Sequence, residues 1–526
     1  MTNINYPRRR FLEYTAFGTL LALLPKALLA ENPVPNSKPS STFNPDVEID
    51  LVAQAAEVGI YRGAKTQVLQ YQGKLIKGPQ STLKTLRGYL GPVMNFQQGQ
   101  KVRINFYNQL AEPCITHWHG MHVPQAMDGH PMYAIARGER YVYEFEVKNL
   151  AGTNWYHSHT HELTGSQVYH GLAGLLIISD EAERKLELPS NEYDLPIVIQ
   201  DRSFDRENQF RFSSNRHNQM RGFLGDTIMI NGQSDHIIPV KTRAYRLRIL
   251  NGSNARVYKL GWDDGTSVTA IGTDGGLLAK PQNMPYVMLA PAERVELWVD
   301  FSGRKTGSEL VLQSLPYLGS HMAMGRGGMM GMMGGFGQDE VIDIVKFQIV
   351  EQVSDSPKLP TELIPMRRLT ERDISQPDRT VPIAVGMRHM NFQLNGRTFE
   401  MQDYMESEKI PLNSIQRIKI YHESHGMGGG GGMMGMMGMM MSMPHPIHLH
   451  GQQFQVLSRH QNNSDSSYDS VKKGFIDSGW KDTILLMPGE EIQILKPFND
   501  YTGLFPYHCH ILEHEDMSMM RNFYVA

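Results

Sequence analysis

Three short segments in which apolar and polar residues alternate constrain the fold of this chain more than any other feature. They cover residues 101–108, 244–251 and 414–421, and each lies roughly one β-sandwich domain from the next. Alternation with a period of two is typical of a strand with one buried face, and the Gly, Pro, Asn and Asp residues around such runs favour turns. The recurrence therefore predicts an all-β protein of three related domains.

Length and composition agree with several soluble domains. The chain has 526 residues, of which 40% are hydrophobic and 20% charged, and these proportions argue against a disordered chain or one with many membrane spans. The net charge is −3, so the chain lacks the excess of basic residues that is typical of nucleic-acid-binding proteins, and we expect no nucleic-acid partner. We predict domains at residues 45–182, 190–350 and 380–526, with a polar linker at 351–379.

Residues 1–30 have the pattern of an export signal. Arg8, Arg9 and Arg10 form a twin-arginine motif, and the uncharged stretch 14–25 is shorter than the ~20 residues of a membrane span. The sequence therefore predicts a signal peptide cleaved near Ala30 and a periplasmic mature protein without a membrane span. A basic disordered tail is the alternative, but it leaves the apolar run unexplained.

Four short motifs each hold a pair of histidines two residues apart. Residues i and i+2 of a strand face the same side of a sheet, so each pair presents two imidazoles side by side, as a metal site requires. A single pair is more often two partly buried polar side chains, whereas four pairs in one chain indicate metal binding. The pairs are His117 and His119, His157 and His159, His448 and His450, and His508 and His510.

The tripeptide His508-Cys509-His510 indicates which metal. On a strand Cys509 faces away from both neighbours, so the tripeptide can serve two metal sites at once. The other cysteine, Cys114, is then left free, and we expect it to be buried. A thiolate with two imidazoles and a distant thioether is the blue-copper ligand set, whereas zinc would not use a thioether. That set would be Cys509, His445, His514 and Met519.

In their order and spacing these motifs resemble those of the multicopper oxidases, the family of laccases, ascorbate oxidase and the bacterial copper-efflux oxidases, with the last nearest. The resemblance runs from the first domain to the C-terminus, and it implies three consecutive cupredoxin-like Greek-key β-sandwiches that hold four copper ions. It further implies a type 1 copper on Cys509, His445, His514 and Met519, a type 2 copper on His117 and His448, one type 3 copper on His119, His157 and His510, and the other on His159, His450 and His508.

The same resemblance implies the reaction. A reductant would give single electrons at the type 1 copper, which would pass through Cys509 to His508 and His510, and dioxygen would be reduced to water at the three-copper cluster. Asp128 and Glu515 stand where the copper-efflux oxidases carry acidic residues, and a carboxyl group there can relay protons. The alternative for each is a solvated surface carboxylate.

Two Gly-rich segments suggest the reductant. Residues 320–338 contain six methionines and residues 427–443 contain nine, together 15 of the 33 in the chain. Thioethers are soft ligands that favour Cu(I), and the second segment runs directly into His445. We therefore expect Cu(I) as substrate, with Met441 and Met443 as candidate ligands of the substrate copper, and a role in copper tolerance.

Several alternatives stay open at this point. The copper-efflux oxidases carry an Asp where this chain has Met441, so a substrate site here is built differently. A ferroxidase or a laccase-type phenol oxidase would use the same ligands. A Met-rich copper store, a structural protein of the cell envelope and Gly-rich insertions without a role are the remaining alternatives. We expect a monomer that takes dioxygen and Cu(I) or another small reductant.

Overall fold

A computed structural model describes residues 36–526 except 214, 319–337, 339, 389–390, 424–442 and 462–465. The predicted signal peptide and Met441 lie outside these residues, as do both Met-rich segments apart from Gln338 and Met443. Within the described part of the chain, no helix is long and apolar enough to cross a membrane.

The first domain is a sandwich of two sheets around one hydrophobic core. Its strands are β1 (Val47–Val58), β2 (Thr66–Lys77), β3 (Leu83–Lys84), β4 (Val93–Gln97), β5 (Lys101–Asn108), β6 (Thr116–His119), β7 (Arg140–Glu146), β8 (Gly152–Ser158) and β9 (Ala173–Ser179). The sheet orders are β2-β1-β5-β7 and β3-β4-β9-β8-β6. Strands β6 and β8 carry the first two histidine motifs, at one edge of the second sheet.

The second domain repeats the two-sheet sandwich with longer sheets. Its strands are β10 (Asp194–Arg202), β11 (Thr227–Ile230), β12 (Ile237–Lys241), β13 (Ala244–Asn251), β14 (Tyr258–Trp262), β15 (Val268–Thr273), β16 (Gly276–Met284), β17 (Val287–Leu289), β18 (Arg294–Asp300), β19 (Glu309–Ser314) and β20 (Ile342–Glu351). The sheet orders are β11-β10-β13-β18-β15-β16 and β12-β20-β19-β14-β17.

The third domain has the same plan and carries the other two histidine motifs. Its strands are β21 (Val381–Arg388), β22 (Asn391–Leu394), β23 (Lys409–Ile410), β24 (Ser414–His422), β25 (His445–Leu449), β26 (Phe454–Gln461), β27 (Trp480–Lys481), β28 (Thr483–Leu486), β29 (Glu490–Phe498), β30 (Gly503–Cys509) and β31 (Met520–Val525). The sheet orders are β22-β21-β24-β29-β26-β27 and β23-β31-β30-β25-β28.

Helices are short and connect the strands. The α-helices are α1 (Thr164–Tyr169), α2 (Glu181–Arg184), α3 (Arg216–Arg221), α4 (Ser466–Asp469) and α5 (Leu512–Asp516). Single 3₁₀ turns cover Gln80–Thr82, Gln125–Met127, Pro131–Tyr133, Asn191–Tyr193, Glu371–Asp373, Glu406–Glu408 and Lys472–Gly474. Helix α5 follows β30 directly, and it carries two of the predicted site residues, His514 and Glu515.

The three segments that alternate in the sequence are structurally equivalent strands, β5, β13 and β24. Each lies between a parallel neighbour and an antiparallel one: β1 and β7, β10 and β18, and β21 and β29. The prediction of an all-β protein with three related, cupredoxin-like domains is therefore confirmed. The strands differ in one respect, because β13 is buried along its whole length whereas β24 buries alternate residues.

The outward face of β13 is buried because its arginines take part in an ion network between domains. Arg246 Nη2 lies 2.5 Å from Glu296 Oε2, and Arg248 Nη1 lies 2.9 Å from Glu296 Oε1. Thr153 of the first domain donates a hydrogen bond of 2.6 Å to the same carboxylate. Burial alone would raise the pKa of Glu296, but the two guanidinium groups lower it to about 2.

Removing this carboxylate should destabilise the protein strongly. We expect Glu296→Ala to cost about 3 to 5 kcal/mol in the free energy of unfolding, because it removes the fully buried carboxylate that pairs with both arginines and leaves them only Glu183 and Asp194. The wild-type carboxylate contributes fully above its unfolded pKa, and this contribution is lost as the pH falls towards 2. Denaturant unfolding of the metal-free protein measures both effects. The control variant Glu351→Ala removes an exposed partner of Lys241 and should leave the denaturant midpoint of unfolding unchanged. Equal shifts of this midpoint in both variants would contradict the prediction.

Candidate metal centres

Strand register brings the histidine motifs together in pairs. His117 on β6 lies directly opposite His157 on β8, and His448 on β25 lies directly opposite His508 on β30. The remaining histidine of each motif continues the same face, as the period of two requires. All eight imidazoles are buried.

The first and third domains meet at these rings. The His117 ring centroid lies 3.9 Å from that of His450, and the His119 centroid lies 3.7 Å from that of His448. Each of these stacked pairs joins one histidine from either domain. The two halves of the cluster are therefore complete only when both domains are in place, as the sequence predicts for the three-copper site.

The ring nitrogens of this cluster divide into bonded and unbonded atoms, which is the pattern expected of metal ligands. The ring nitrogens without a hydrogen-bond partner in the described structure are His117 Nε2, His119 Nδ1, His157 Nε2, His159 Nδ1, His448 Nε2 and both nitrogens of His510. In four of these rings the opposite nitrogen is held by an oxygen atom: His117 Nδ1 by Asp128 O (2.6 Å), His157 Nδ1 by Ser158 O (2.8 Å), His448 Nδ1 by Asp482 O (2.9 Å) and His119 Nε2 by Asp482 Oδ1 (3.0 Å).

One of the sets predicted for an individual copper stands out by distance. His508 Nε2 lies 3.3 Å from His159 Nε2 and 3.2 Å from His450 Nε2, so three nitrogens converge on one point. The other nitrogens do not divide into separate sets, because His117 groups both with His119 and His157 and with His448 and His450. Burial lowers the pKa of His119 and His450 well below the ordinary histidine value, which favours the neutral form that binds metals. The unpaired nitrogens thus fit copper, although the assignment of each ligand stays a prediction.

Both predicted proton-relay acids border the cluster instead of facing solvent. Asp128 Oδ2 accepts a 2.7 Å hydrogen bond from His450 Nδ1, and Asp128 Oδ1 lies 3.5 Å from His117 Nδ1. Glu515 Oε2 lies 3.2 Å from His508 Nδ1, and its other oxygen is 3.8 Å from His159 Nε2. Burial raises the pKa of Asp128 well above its ordinary value. Neither residue is the solvated surface carboxylate of the alternative interpretation.

A second candidate centre lies on the opposite face of β30. Cys509 Sγ is 3.5 Å from His445 Nδ1 and 3.6 Å from His514 Nδ1, and all three side chains are buried. His514 Nε2 donates to the Met220 carbonyl at 3.2 Å, which leaves Nδ1 free for a metal. Met519 is fully buried in the same core, and its backbone is bonded to those of Cys509 and His514. A soft thiolate and two imidazoles fit copper.

Sequence reasoning missed Asp482 and Thr483, which hold the outer nitrogens of the cluster. Thr483 Oγ1 lies 3.2 Å from both His119 Nε2 and His448 Nδ1. Asp482 is separated from His119 by 363 residues. An isolated Asp before a buried strand has no distinctive local pattern, so the sequence carries no signal for this contact.

The two cysteines supply a matched test of the second centre. Cys114 is free and buried, its pKa is raised to about 12 by burial, and its Sγ lies 3.9 Å from Ser158 Oγ instead of a ligand set. We expect Cys509→Ser to abolish the intense blue absorption of the copper-loaded protein, because the serine oxygen cannot replace a thiolate. Cys114→Ser should keep it. Visible spectra with copper analysis measure both, and a blue Cys509→Ser protein would refute this centre.

Known proteins carry both the sequence pattern and the fold. Family profiles described as multicopper oxidase match residues 69–183 and 372–526. The multicopper oxidase mco of Staphylococcus aureus is 31% identical over 473 residues, which are 89% of this chain and 86% of that protein. A laccase of Bacillus stratosphericus is 30% identical over 502 residues, covering 84% and 90% of the two chains. The crystal structure of McoA multicopper oxidase from Aquifex aeolicus has a TM-score of 0.74 at 29% identity and covers 92% of this chain and 97% of its own.

These similarities extend over most of each chain and include both domains that carry the histidine cluster. Multicopper oxidases contain copper and use dioxygen and a reductant. At this level of identity and coverage, the chain belongs to the multicopper oxidase family and is an oxidoreductase.

Proposed function

We propose that this protein oxidises Cu(I) and couples that reaction to the reduction of dioxygen to water, with a role in copper tolerance. The observation that carries the proposal is the shared tripeptide at the end of β30: His508 and His510 belong to the eight-histidine cluster, and Cys509 between them belongs to the second centre. The four coppers would be held as the sequence predicts, by the type 1 set on Cys509 and by the type 2 and type 3 sets on the histidines.

Bound copper would supply one-electron transfer from the reductant and four-electron reduction of dioxygen. The protein connects the two copper centres, orients their ligands and supplies protons to the reduced oxygen. Cys509 is covalently linked to both neighbouring histidines, so the two centres are only one peptide unit apart on either side. Asp128 and Glu515 hold carboxyl groups against rings of the histidine cluster, and two protons are needed for each oxygen atom that leaves as water.

Neutralising the relay acids should slow turnover without removing copper. We expect Asp128→Asn and Glu515→Gln each to lower oxygen consumption by about 10²- to 10⁴-fold, because an amide cannot pass on a proton. Glu513→Gln is the matched control: Glu513 is buried on the same helix but accepts a hydrogen bond from Asn254 at 2.8 Å. Oxygen uptake at saturating reductant, with copper content checked in parallel, measures the effect. Equal losses in all three variants would contradict a specific role for the two acids.

The surroundings of His445 support Cu(I) as the substrate. Met443, the last residue of the second Met-rich segment, is buried in the same core as Cys509 and Met519. His422, at the end of β24, has its ring 5.5 Å from the His445 ring, and neither of its ring nitrogens has a hydrogen-bond partner among the described residues. Burial lowers the pKa of His422 to about 4, so the ring is neutral at pH 7. A thioether and a neutral imidazole beside a type 1 ligand suit Cu(I).

The pocket beside this centre also favours an ion over a phenol. Its volume is about 50 Å³, and it lies between the second and third domains against Met443, Pro444 and Ile511. Organic ligands of drug-like size occupy pockets of roughly 300 to 1,000 Å³. Tyr317, which precedes the first Met-rich segment, and Gln338, its last residue, pair as an isolated bridge and line the same pocket. The described ends of both segments therefore lead to one pocket, which supports a joint role in Cu(I) delivery.

A laccase-type phenol oxidase is the second candidate, and the relative named laccase favours it. A ferroxidase would use the same copper sites. A Met-rich copper store would bind copper but consume no oxygen. Export to the periplasm by the twin-arginine route and a monomeric state remain predictions, which cell fractionation and gel filtration check.

Oxygen uptake separates these candidates. We expect fast uptake with Cu(I) as the only reductant and slow uptake with a phenol, and deletion of residues 427–441 should abolish the Cu(I) preference. Met443→Leu, which removes one thioether at nearly constant volume, should lower kcat/KM for Cu(I) by about tenfold or more and leave phenol oxidation unchanged. Met229→Leu changes an equally buried methionine outside this core and is the control. Uptake with Fe(II) or phenol that exceeds uptake with Cu(I) would refute the proposed substrate.

A further inference from the structure

Arg294 lies on β18 of the second domain, which supplies none of the predicted copper ligands, yet its side chain reaches the other two domains. The guanidinium group is buried, and all five of its N–H donors find an acceptor. Nε donates to Thr153 O (2.9 Å), Nη1 to Ala292 O (2.9 Å) and Asp482 Oδ1 (2.7 Å), and Nη2 to Asp274 O (2.9 Å) and Asp482 Oδ2 (2.5 Å). Thr153 belongs to the first domain and Asp482 to the third.

Asp482 connects this arginine to the histidine cluster. Its Oδ1 accepts a hydrogen bond from His119 Nε2 at 3.0 Å, and its backbone carbonyl accepts one from His448 Nδ1 at 2.9 Å. These two imidazoles stack on each other, come from different domains and are predicted to bind different coppers. A single aspartate therefore sets the orientation of a ligand at two metal positions.

The ion pair also determines which nitrogen of His119 is available. Both side-chain oxygens of Asp482 accept hydrogen bonds from the Arg294 guanidinium group, and Oδ1 also faces His119 Nε2, so the side chain acts there as a hydrogen-bond acceptor. The His119 proton must then lie on Nε2. The lone pair is left on Nδ1, the ring nitrogen that has no partner in the described structure.

Gly120, which follows the first histidine motif, packs directly against the same ion pair. Its φ is +91°, and a Cβ atom there would lie 2.3 Å from Asn154 Oδ1, 2.8 Å from Arg294 Nη2 and 2.9 Å from Asp482 Oδ2. Any side chain at this position would displace the paired groups. The close approach of the His119 strand to a residue pair from the other two domains therefore depends on a glycine.

We propose that Arg294 is a positioning residue of the histidine cluster, which acts through Asp482 to fix the orientations of His119 and His448. The second domain thus tunes the metal positions without supplying a ligand. This inference rests on the copper assignment proposed above. Partners that orient metal-bound histidines typically change metal affinity by 10- to 100-fold, so the effect is measurable.

Arg294→Lys and Arg294→Met test the inference. Lysine keeps the charge but loses the planar fork, and methionine loses both. We expect both variants to lose copper from the histidine cluster at a chelator concentration about 10- to 100-fold lower than the wild-type protein requires. The electron paramagnetic resonance signal of the type 2 copper should change, while the blue absorption of the Cys509 centre remains.

Arg246→Lys and Arg246→Met are the matched controls. Arg246 is an equally buried arginine of the same sheet that is bonded to Glu296, and the side-chain partners described for Glu296 are Thr153, Arg246 and Arg248. These variants should lose stability but keep the wild-type copper signals. Wild-type signals and copper retention in both Arg294 variants would overturn the inference.

Asp482→Asn keeps the test decisive if the Arg294 variants do not fold. It retains the shape of the side chain and removes the charge, and it should reproduce the change in the type 2 signal. An unchanged signal in Asp482→Asn would overturn the inference. In folded proteins, Arg294→Met should add little to Asp482→Asn, because both act on the same contact. A wild-type protein that takes up no copper would instead overturn the copper assignment, and this inference with it.

Discussion

The burial of eight imidazole rings between the first and third domains is the constraint on which the rest of the structure depends. Each unpaired ring nitrogen in this buried interface costs about 1 to 3 kcal/mol relative to a hydrogen-bonded one. His510, with neither nitrogen bonded, is the extreme case. The metal-free site is therefore destabilised by the same atoms that fit it to copper, and metal binding offsets the cost. The oxygen atoms on the outer nitrogens keep each ring aimed inward.

The second domain acts as a clamp on this interface. Arg246 and Arg248 engage Glu296 next to Thr153 of the first domain, and Arg294 joins Thr153 to Asp482 of the third. Buried ion pairs contribute little net stability, but they tolerate few alternative geometries. Such contacts suit an assembly in which ligands from two domains must meet in one defined arrangement. These ion pairs explain how the second domain, which supplies none of the predicted ligands, contributes to the structure of the metal site.

The two centres differ in what surrounds them. The histidine cluster is bordered by the carboxyl groups of Asp128 and Glu515, as proton-coupled chemistry requires. The Cys509 centre is packed against Phe392, Met443 and Met519, and the His422 ring lies beside His445. Thioether and imidazole groups suit a soft, singly charged ion more than a hydrated divalent one. The placement of the two centres on opposite faces of β30 follows from the period of the strand.

Local periodicity let the sequence determine the architecture and the ligand types. The alternating segments at β5, β13 and β24 predicted three related domains, and the spacing of the histidines fixed which side chains share a face. The sequence did not predict that β13 is buried on both faces, because that depends on Arg246 and Arg248 meeting Glu296 across the sheet. Tertiary structure alone decided that Asp482 holds His119, that Arg294 holds Asp482, and that His422 lies beside His445. Residues hundreds of positions apart in the chain meet only through the packing of whole domains, and no local pattern records that packing.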